Sequence, residues 1–228
     1  MLKSATDEVE WVAVGAREFL TVGGLLPDAF PSYARVFHPA HLDGGEVRWA
    51  EVAAANGRRA HAGMQWVALT GSWELYNNVA QPGLRNEPPV VGSLPRIQAR
   101  HLVKVLERFT TTADACFYGV WDGFTDLDLP TEGTATLTMP GDRRMLLLSG
   151  RLADASLIFD QSANLWWPKD RAWCVATDID LNSTYIGGSD ACVEAVLGEG
   201  SLETWRASPN DRIDGASDTL NPLPPRAA

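Results

Sequence analysis

Every second residue of the stretch 172–182 is hydrophobic or β-branched, and from Asp178 onward the residues between them are polar, a pattern that predicts a β-strand with one buried face. Its odd-numbered members would face the interior: Trp173, Val175, Thr177, Ile179 and Leu181. Its even-numbered members would face the other way, and three of them are Asp178, Asp180 and Asn182. This is the strongest strand signal in the chain.

Other segments predict strands because they are rich in β-branched and aromatic residues and are bounded by turn residues. These segments are 33–37, 116–121, 134–139, 144–149 and 202–206. The third and fourth of them flank Pro140-Gly141-Asp142, so they should form a hairpin. Residues 183–186 would continue the strand at 172–182 or pair back on it.

Helices are predicted in three places. Residues 48–56 are rich in alanine and stop at Gly57. The clearest helix begins near Ser93, and its expected buried face consists of Ile97, Leu102, Val105, Leu106 and Phe109. Ser189 is a good N-cap for a helix that ends at Gly198. Residues 64–69 fit either a short strand or a helical turn.

The order of these elements predicts an α+β fold with a mostly antiparallel sheet and flanking helices, because strands follow one another at 116–149. We expect a single domain over residues 1–206. The Pro- and Gly-rich loop 78–95 could set off an N-terminal lobe over residues 1–80. Residues 207–228 contain four prolines and few hydrophobic residues, which predicts a loose tail.

The charge balance excludes some partners. The 228 residues include 29 acidic and 19 basic side chains, for a net charge of -10. Phosphate contacts need surplus Lys and Arg, so we expect no nucleic-acid partner and no membrane partner. Hydrophobic residues make up 45% of the chain, which is typical of a folded globular protein rather than a disordered one.

The cysteines and the N-terminus predict a cytoplasmic protein. Cys116, Cys174 and Cys192 are odd in number, lack CxxC spacing and lie among hydrophobic residues, so we expect buried, reduced thiols rather than nucleophiles. Asp7 and Glu8 interrupt any secretory leader. No segment approaches the roughly 20 hydrophobic residues of a membrane-spanning helix.

A candidate metal site follows from the strand at 172–182. Asp178, Asp180 and Asn182 would share one face of that strand, and oxygen ligands at this spacing can hold a hard divalent cation. Such a cation would lower the pKa of a bound water for hydrolysis. The alternative is a half-buried strand whose polar face meets water. A second, weaker metal candidate is the His38-Pro-Ala-His41-Leu-Asp43 segment.

A candidate binding surface follows from the tryptophans. The chain has nine, and three of them lie in Trp166-Trp167-Pro-Lys-Asp170-Arg171-Ala-Trp173. Exposed indoles here could anchor a protein partner or stack on sugar rings, with Asp170 and Arg171 adding polar contacts. The alternative is a corner at which the tryptophans cover the end of the sheet. An acidic turn over Asp122, Asp126, Asp128 and Glu132 could meet a basic partner.

Four segments of the sequence together carry a resemblance to a protein family. They are the block 164–195, which begins Asn164-Leu-Trp-Trp-Pro-Lys-Asp-Arg, and the pieces Tyr33-Ala-Arg-Val-Phe-His-Pro, Val47-Arg-Trp-Ala-Glu-Val-Ala and Cys116-Phe-Tyr-Gly-Val-Trp-Asp-Gly. Together they resemble a family of uncharacterised proteins from high-GC Gram-positive bacteria, up to about residue 206. The resemblance implies no activity and no catalytic residue.

The sequence leaves two functions open, and with them whether the protein is an enzyme. The first is a non-catalytic interaction protein that binds a protein partner, as an immunity protein or antitoxin does. It rests on the acidic charge, the tryptophans and the lack of GxGxxG, P-loop and GxSxG motifs. The second is a metal-dependent hydrolase or small-ligand binder centred on Asp178 and Asp180. Carbohydrate binding through Trp166 and Trp167 is a weaker third.

Overall fold

A computed structural model describes residues 3–4, 9, 11–12, 20–73, 80–124, 134–156 and 162–225. Most of the acidic turn, including Asp126, Asp128 and Glu132, lies outside these residues. Asp122 lies within them and pairs with Arg144 at 2.6 Å.

The predicted α+β architecture is confirmed. The strands are β1 (Lys3–Ser4), β2 (Ser32–Phe37), β3 (Ala40–Leu42), β4 (Gly45–Val47), β5 (Cys116–Trp121), β6 (Thr136–Met139), β7 (Arg143–Gly150), β8 (Leu165–Pro168), β9 (Trp173–Ala176), β10 (Ser183–Gly188) and β11 (Glu203–Ala207). Nine of these described strands form one antiparallel sheet in the order β1-β7-β5-β8-β9-β10-β2-β11, with β6 also paired to β7. Strands β3 and β4 form a separate hairpin.

The helices lie on and around this sheet. They are α1 (Val22–Leu25), α2 (Trp49–Ala55), α3 (Trp66–Thr70), α4 (Arg96–Leu106) and α5 (Asp190–Leu197), with short 3-10 turns at 107–109, 152–156 and 215–217. Ser189 caps α5 as predicted, and its Oγ accepts a hydrogen bond from the Cys192 backbone N–H. In the described part of the chain, no helix has the length and hydrophobicity needed to cross a bilayer.

Both faces of the sheet are buried, which explains the hydrophobic runs in β8 and β9. Neighbouring residues on a strand point to opposite faces. Trp166 therefore packs beneath α4 and α5, while Trp167 packs on the other face near Val12 and Ile213. Helix α4 covers the first face with Ala99, Leu102, Val105 and Leu106. The prediction for Ile97 is wrong, because its side chain is 54% exposed.

A third cluster lies at the end of β2 and connects the sheet to α2 and α3. The rings of Phe37, Trp49 and Trp66 pack one against the next in tilted geometry, with ring centroids 4.7 and 5.2 Å apart. The Glu203 carboxylate on β11 accepts hydrogen bonds from the Trp49 and Ala50 N–H groups at the start of α2. A carboxylate is favourable there because the first N–H groups of a helix have no partners within it.

The strand predicted over 172–182 is wrong beyond Ala176. Trp173 and Val175 do share one face, but residues 177–182 form the loop that joins β9 to β10. The Asp178 Oδ1 accepts from the Asp180 N–H at 3.0 Å, and the Asp178 carbonyl accepts from the Leu181 N–H at 3.0 Å. An aspartate side chain that accepts a hydrogen bond from the backbone N–H two residues later favours a turn over continued pairing of β-strands.

The Pro-rich loop does not separate a lobe. Strand β2 lies between β10 and β11, so the described residues before position 80 are part of the same sheet as the rest. The loop itself packs on that sheet. The Gly92 N–H donates to the Leu181 carbonyl at 2.8 Å, and the Gly92 carbonyl accepts from Asn164 Nδ2 at 2.8 Å. Gly92 has φ +88°, and a Cβ there would lie 2.9 Å from the Ile179 oxygen, so glycine is required.

The prediction of a loose tail is wrong for residues 208–225. Thr21 pairs with Arg212 in an isolated bridge, and the Trp73 Nε1–H donates to the Pro224 carbonyl at 2.8 Å. Ile213, Asp218 and Asn221 are buried. Few hydrophobic residues are needed here because polar side chains hold the segment to the core.

Candidate functional site

The structure places the three predicted surface tryptophans in the interior. Trp166, Trp167 and Trp173 are all 0% exposed, so the expectation that they present an aromatic face to a partner or sugar is wrong. The alternative, a corner at which they cover the end of the sheet, is right in that they contact the core, but the structure places them within strands β8 and β9. Asp170 and Arg171 are exposed, and Asp170 accepts hydrogen bonds from the Thr111 N–H at 2.7 Å and from nearby threonine hydroxyls. These hydrogen bonds fix the conformation of the turn that precedes β9.

Asp178 and Asp180 lie close together, but not as a strand face. Both carboxylates bind Arg143, with Nε 3.3 Å from Asp178 and Nη2 2.5 Å from Asp180. Asn182 is buried, and its carbonyl accepts from the His38 N–H at 3.1 Å. In the ranges that the structure describes, no group of three His, Cys, Asp or Glu side chains could hold a metal ion. The guanidinium already supplies the positive charge that a cation would bring.

The His38 ring is occupied at both nitrogens. Nδ1 lies 2.7 Å from the Val90 carbonyl and Nε2 lies 2.9 Å from the Thr184 hydroxyl, so neither nitrogen is open to a metal. Asp43 bonds Asn86 Nδ2 at 2.8 Å. The three cysteines are buried, and burial raises the pKa of Cys116 to about 12 and that of Cys192 to about 11. Thiols with raised pKa values are poor nucleophiles.

The buried His38 makes stability depend on pH. Burial lowers its pKa from 6.5 to about 4. Between these values the unfolded chain binds a proton that the folded protein excludes, so stability falls as the pH drops. From pH 7 to pH 4.5 we expect this residue alone to remove about 2 kcal/mol. Urea denaturation at both pH values should show that His38→Gln loses less stability than the wild type; equal losses would contradict this assignment.

Arg35 is a buried arginine that lines a cleft of about 380 Å³. We call this the Arg35 cleft. Arg35 and Tyr185 come from the sheet, residues 61–63 form one wall, and residues 207–219 form the other. Alternation along β2 explains the position of Arg35, because it shares a face with Tyr33 and Phe37, which pack on the same side of the sheet.

Arg35 is 2% exposed and is held by neutral groups. Its Nε donates to Ser183 Oγ at 2.9 Å, and its Nη1 donates to the Ala62 and Met64 carbonyls at 3.0 and 2.9 Å. The guanidinium carbon lies 4.2 Å from the centre of the Phe37 ring. No described carboxylate forms an ion pair with Arg35, and its Nη2 has no acceptor among the described residues.

This arrangement leaves a charge that is largely removed from water and has no ion-pair partner among the described residues. Burial lowers the pKa of Arg35, while the ionised Asp218 carboxylate acts in the opposite direction through its charge. Arginine nevertheless remains protonated in proteins. Buried charges are normally paired, since removing an ion from water costs several kcal/mol. The Nη2 group is therefore an open donor on a poorly solvated cation.

His61 lies on the wall of the Arg35 cleft and is oriented by Asp218. Its Nε2 is 2.8 Å from Asp218 Oδ1, and the Asp218 side chain is fully buried. Asp218 also accepts from the Gln65 N–H at 3.0 Å and the Asn221 N–H at 2.9 Å. Burial raises the pKa of Asp218, but the hydrogen bonds from Asn221, Gln65 and His61 outweigh it and lower the pKa. Asp218 is thus an ionised anchor for the histidine.

Comparisons with protein-family models, with curated proteins and with solved structures find no match for this chain.

None of the binding or metal residues predicted from the tryptophan segment and the strand at 172–182 lines this cleft. One signal was available, because Arg35 stands on the same strand face as Tyr33 and Phe37, and a lone charge on a hydrophobic face is unusual. The pairing of His61 with Asp218 spans 157 positions, and no local pattern indicates it.

Proposed function

We propose that the protein binds a small organic anion, a carboxylate, in the Arg35 cleft. The observation that carries this proposal is the buried guanidinium, which forms no ion pair with a described carboxylate and whose Nη2 has no described acceptor. A bound carboxylate would accept from Nη2 and supply the missing counter-charge. Such charge-assisted hydrogen bonds are about twice as strong as neutral ones and are further strengthened away from bulk water.

The net charge of the chain limits how an anion could bind. A protein with a net charge of -10 repels anions in general, so an anion that binds must be held by a local arrangement. The rest of the cleft supports a small ligand rather than a macromolecule, because its volume of about 380 Å³ falls at the lower end of small-molecule sites.

Calorimetric titration with acetate, propionate, succinate and benzoate tests the proposal. We expect at least one to bind, and Arg35→Lys to weaken it at least tenfold (~1.4 kcal/mol), because lysine lacks the planar donor fork. Arg85→Lys is the matched control. Arg85 is also buried and packs over Trp66, with the guanidinium carbon 4.9 Å from the ring centre, but it is not a cleft residue. No binding at roughly 10 mM, or equal loss in both variants, would overturn the proposal.

The interaction-protein hypothesis stays a prediction, as does the family resemblance. One observation favours a partner surface. Trp205 is 37% exposed on β11, which ends the sheet and pairs with β2 alone among the described strands. Exposed tryptophan is enriched at protein interfaces. The metal-dependent alternative gains no support, since Asp178 and Asp180 both bind Arg143.

A further inference from the structure

The rim of the Arg35 cleft carries a carboxylate with unused bonding capacity. Asp211 is exposed, and its Oδ2 accepts from the Ser208 N–H at 2.8 Å. Its Oδ1 has no donor among the described residues. The backbone of Asp211 is held on both sides, because its N–H donates to the Ser208 carbonyl at 3.0 Å and its carbonyl accepts from the Val22 N–H at 2.9 Å. The carboxylate is thus fixed in place before any ligand arrives.

The other charged groups around the cleft are already satisfied. Asp218 is engaged by Gln65, Asn221 and His61. Arg212 forms a two-pronged ion pair with Asp214, with Nε–Oδ1 and Nη2–Oδ2 distances of 2.9 and 2.6 Å. Among the charged groups that line the described cleft, Arg35 therefore offers an open donor and Asp211 an open acceptor.

From this pair of opposite charges we infer that the ligand carries both a carboxylate and an ammonium group, as a free amino acid does. The inference rests on the proposed function, since the carboxylate would bind Arg35. The ammonium group would bind Asp211. A ligand without net charge is not repelled by the acidic protein, and its two charged ends would neutralise two protein charges of opposite sign. The cleft has room for a molecule of this size.

Matched pairs of ligands that differ only in the ammonium group isolate the contribution of Asp211. Alanine is compared with propionate, and leucine with 4-methylpentanoate, by calorimetric titration at pH 7. For at least one pair, we expect the amino acid to bind at least tenfold more tightly to the wild type. In Asp211→Asn, the amino acid should lose at least tenfold in affinity while the plain carboxylate keeps its affinity or gains, because the competing negative charge has been removed.

The control is Asp180→Asn, which removes an exposed carboxylate outside the cleft and should leave the affinity ratio unchanged. Asn retains an acceptor for the Ser208 N–H, so the loop should keep its shape. The N-acetylated amino acids repeat the test on the wild type, because acetylation removes the positive charge without any substitution in the protein.

The outcomes separate the two proposals. If carboxylates bind through Arg35 but the amino acids bind no better than their partners, the ligand class inferred here is wrong and the proposed function stands. An affinity ratio that Asp211→Asn leaves unchanged also overturns the role of Asp211. If neither set of ligands binds, both proposals fail.

Discussion

Replacing Trp173 by alanine should lower the free energy of unfolding by about 3–5 kcal/mol, the usual range for removing a buried tryptophan. The side chain is 0% exposed and packs edge-on against Trp166, with ring centroids 5.6 Å apart. Its Nε1–H donates to the Leu106 carbonyl at the end of α4, at 3.2 Å. The alanine variant would lose the packing between sheet and helix and leave a cavity that neighbours fill only in part.

Urea denaturation at neutral pH measures this effect, with two companion variants. Trp173→Phe retains a ring and loses the N–H donor, so it should cost less than the alanine variant. Trp205→Ala lies on the exposed face of β11 and should cost less than about 1 kcal/mol. Equal costs at positions 173 and 205 would show that Trp173 is not in the core. The result also bears on the sequence hypothesis, since a core tryptophan offers no surface to a partner.

Replacing Asp218 by alanine should cost about 2–4 kcal/mol, although a tail was predicted at this position. The carboxylate is the shared acceptor for the Gln65 and Asn221 N–H groups and for the His61 ring. Alanine would leave the buried Gln65 and Asn221 N–H groups without an acceptor, and an unmade hydrogen bond in the interior costs more than a formed one contributes. The wall of the Arg35 cleft that contains position 218 would also lose the hydrogen bonds that hold it to Gln65 and His61.

Asp214→Ala on the same segment is the matched comparison. Asp214 pairs with Arg212 near the surface, and a pair of this kind contributes less than about 1 kcal/mol. Thermal and urea denaturation of both variants should show that Asp218→Ala is much less stable than Asp214→Ala. If the two variants are equally stable, residues 208–225 do not pack in solution as they do in the structure.

Elements with strong local signals were predicted nearly to the residue. The strand at 116–121 matches β5, and Ser189 caps α5 as its hydroxyl and position indicate. These predictions succeeded because β-propensity, helix capping and glycine stops act within a few residues of the chain. Residues 64–69, which the sequence left open, form helix α3 over Trp66–Thr70.

Two predictions that failed, the strand beyond Ala176 and the loose tail, depend on interactions other than local propensity. The alternation at 172–182 continues past Ala176, but the Asp178 side chain bonds the backbone and turns the chain into a hairpin loop. Residues 208–225 contain few hydrophobic residues, yet Asp218 and Asn221 find partners at Gln65 and Arg59. In both places a polar side chain decides the structure through one specific bond, which hydrophobic periodicity does not register.

The sequence by itself determined the α+β class, most strands and helices, and the burial of the cysteines, because these follow from local propensity and from the need to bury hydrophobic surface. Only the tertiary structure decided which tryptophans are covered, and only it placed Arg35, His61 and Asp211 around one cleft. That cleft depends on contacts between residues more than 150 positions apart, such as His61 with Asp218. Contacts at such separations form only when the whole sheet is assembled, so no local pattern could indicate them.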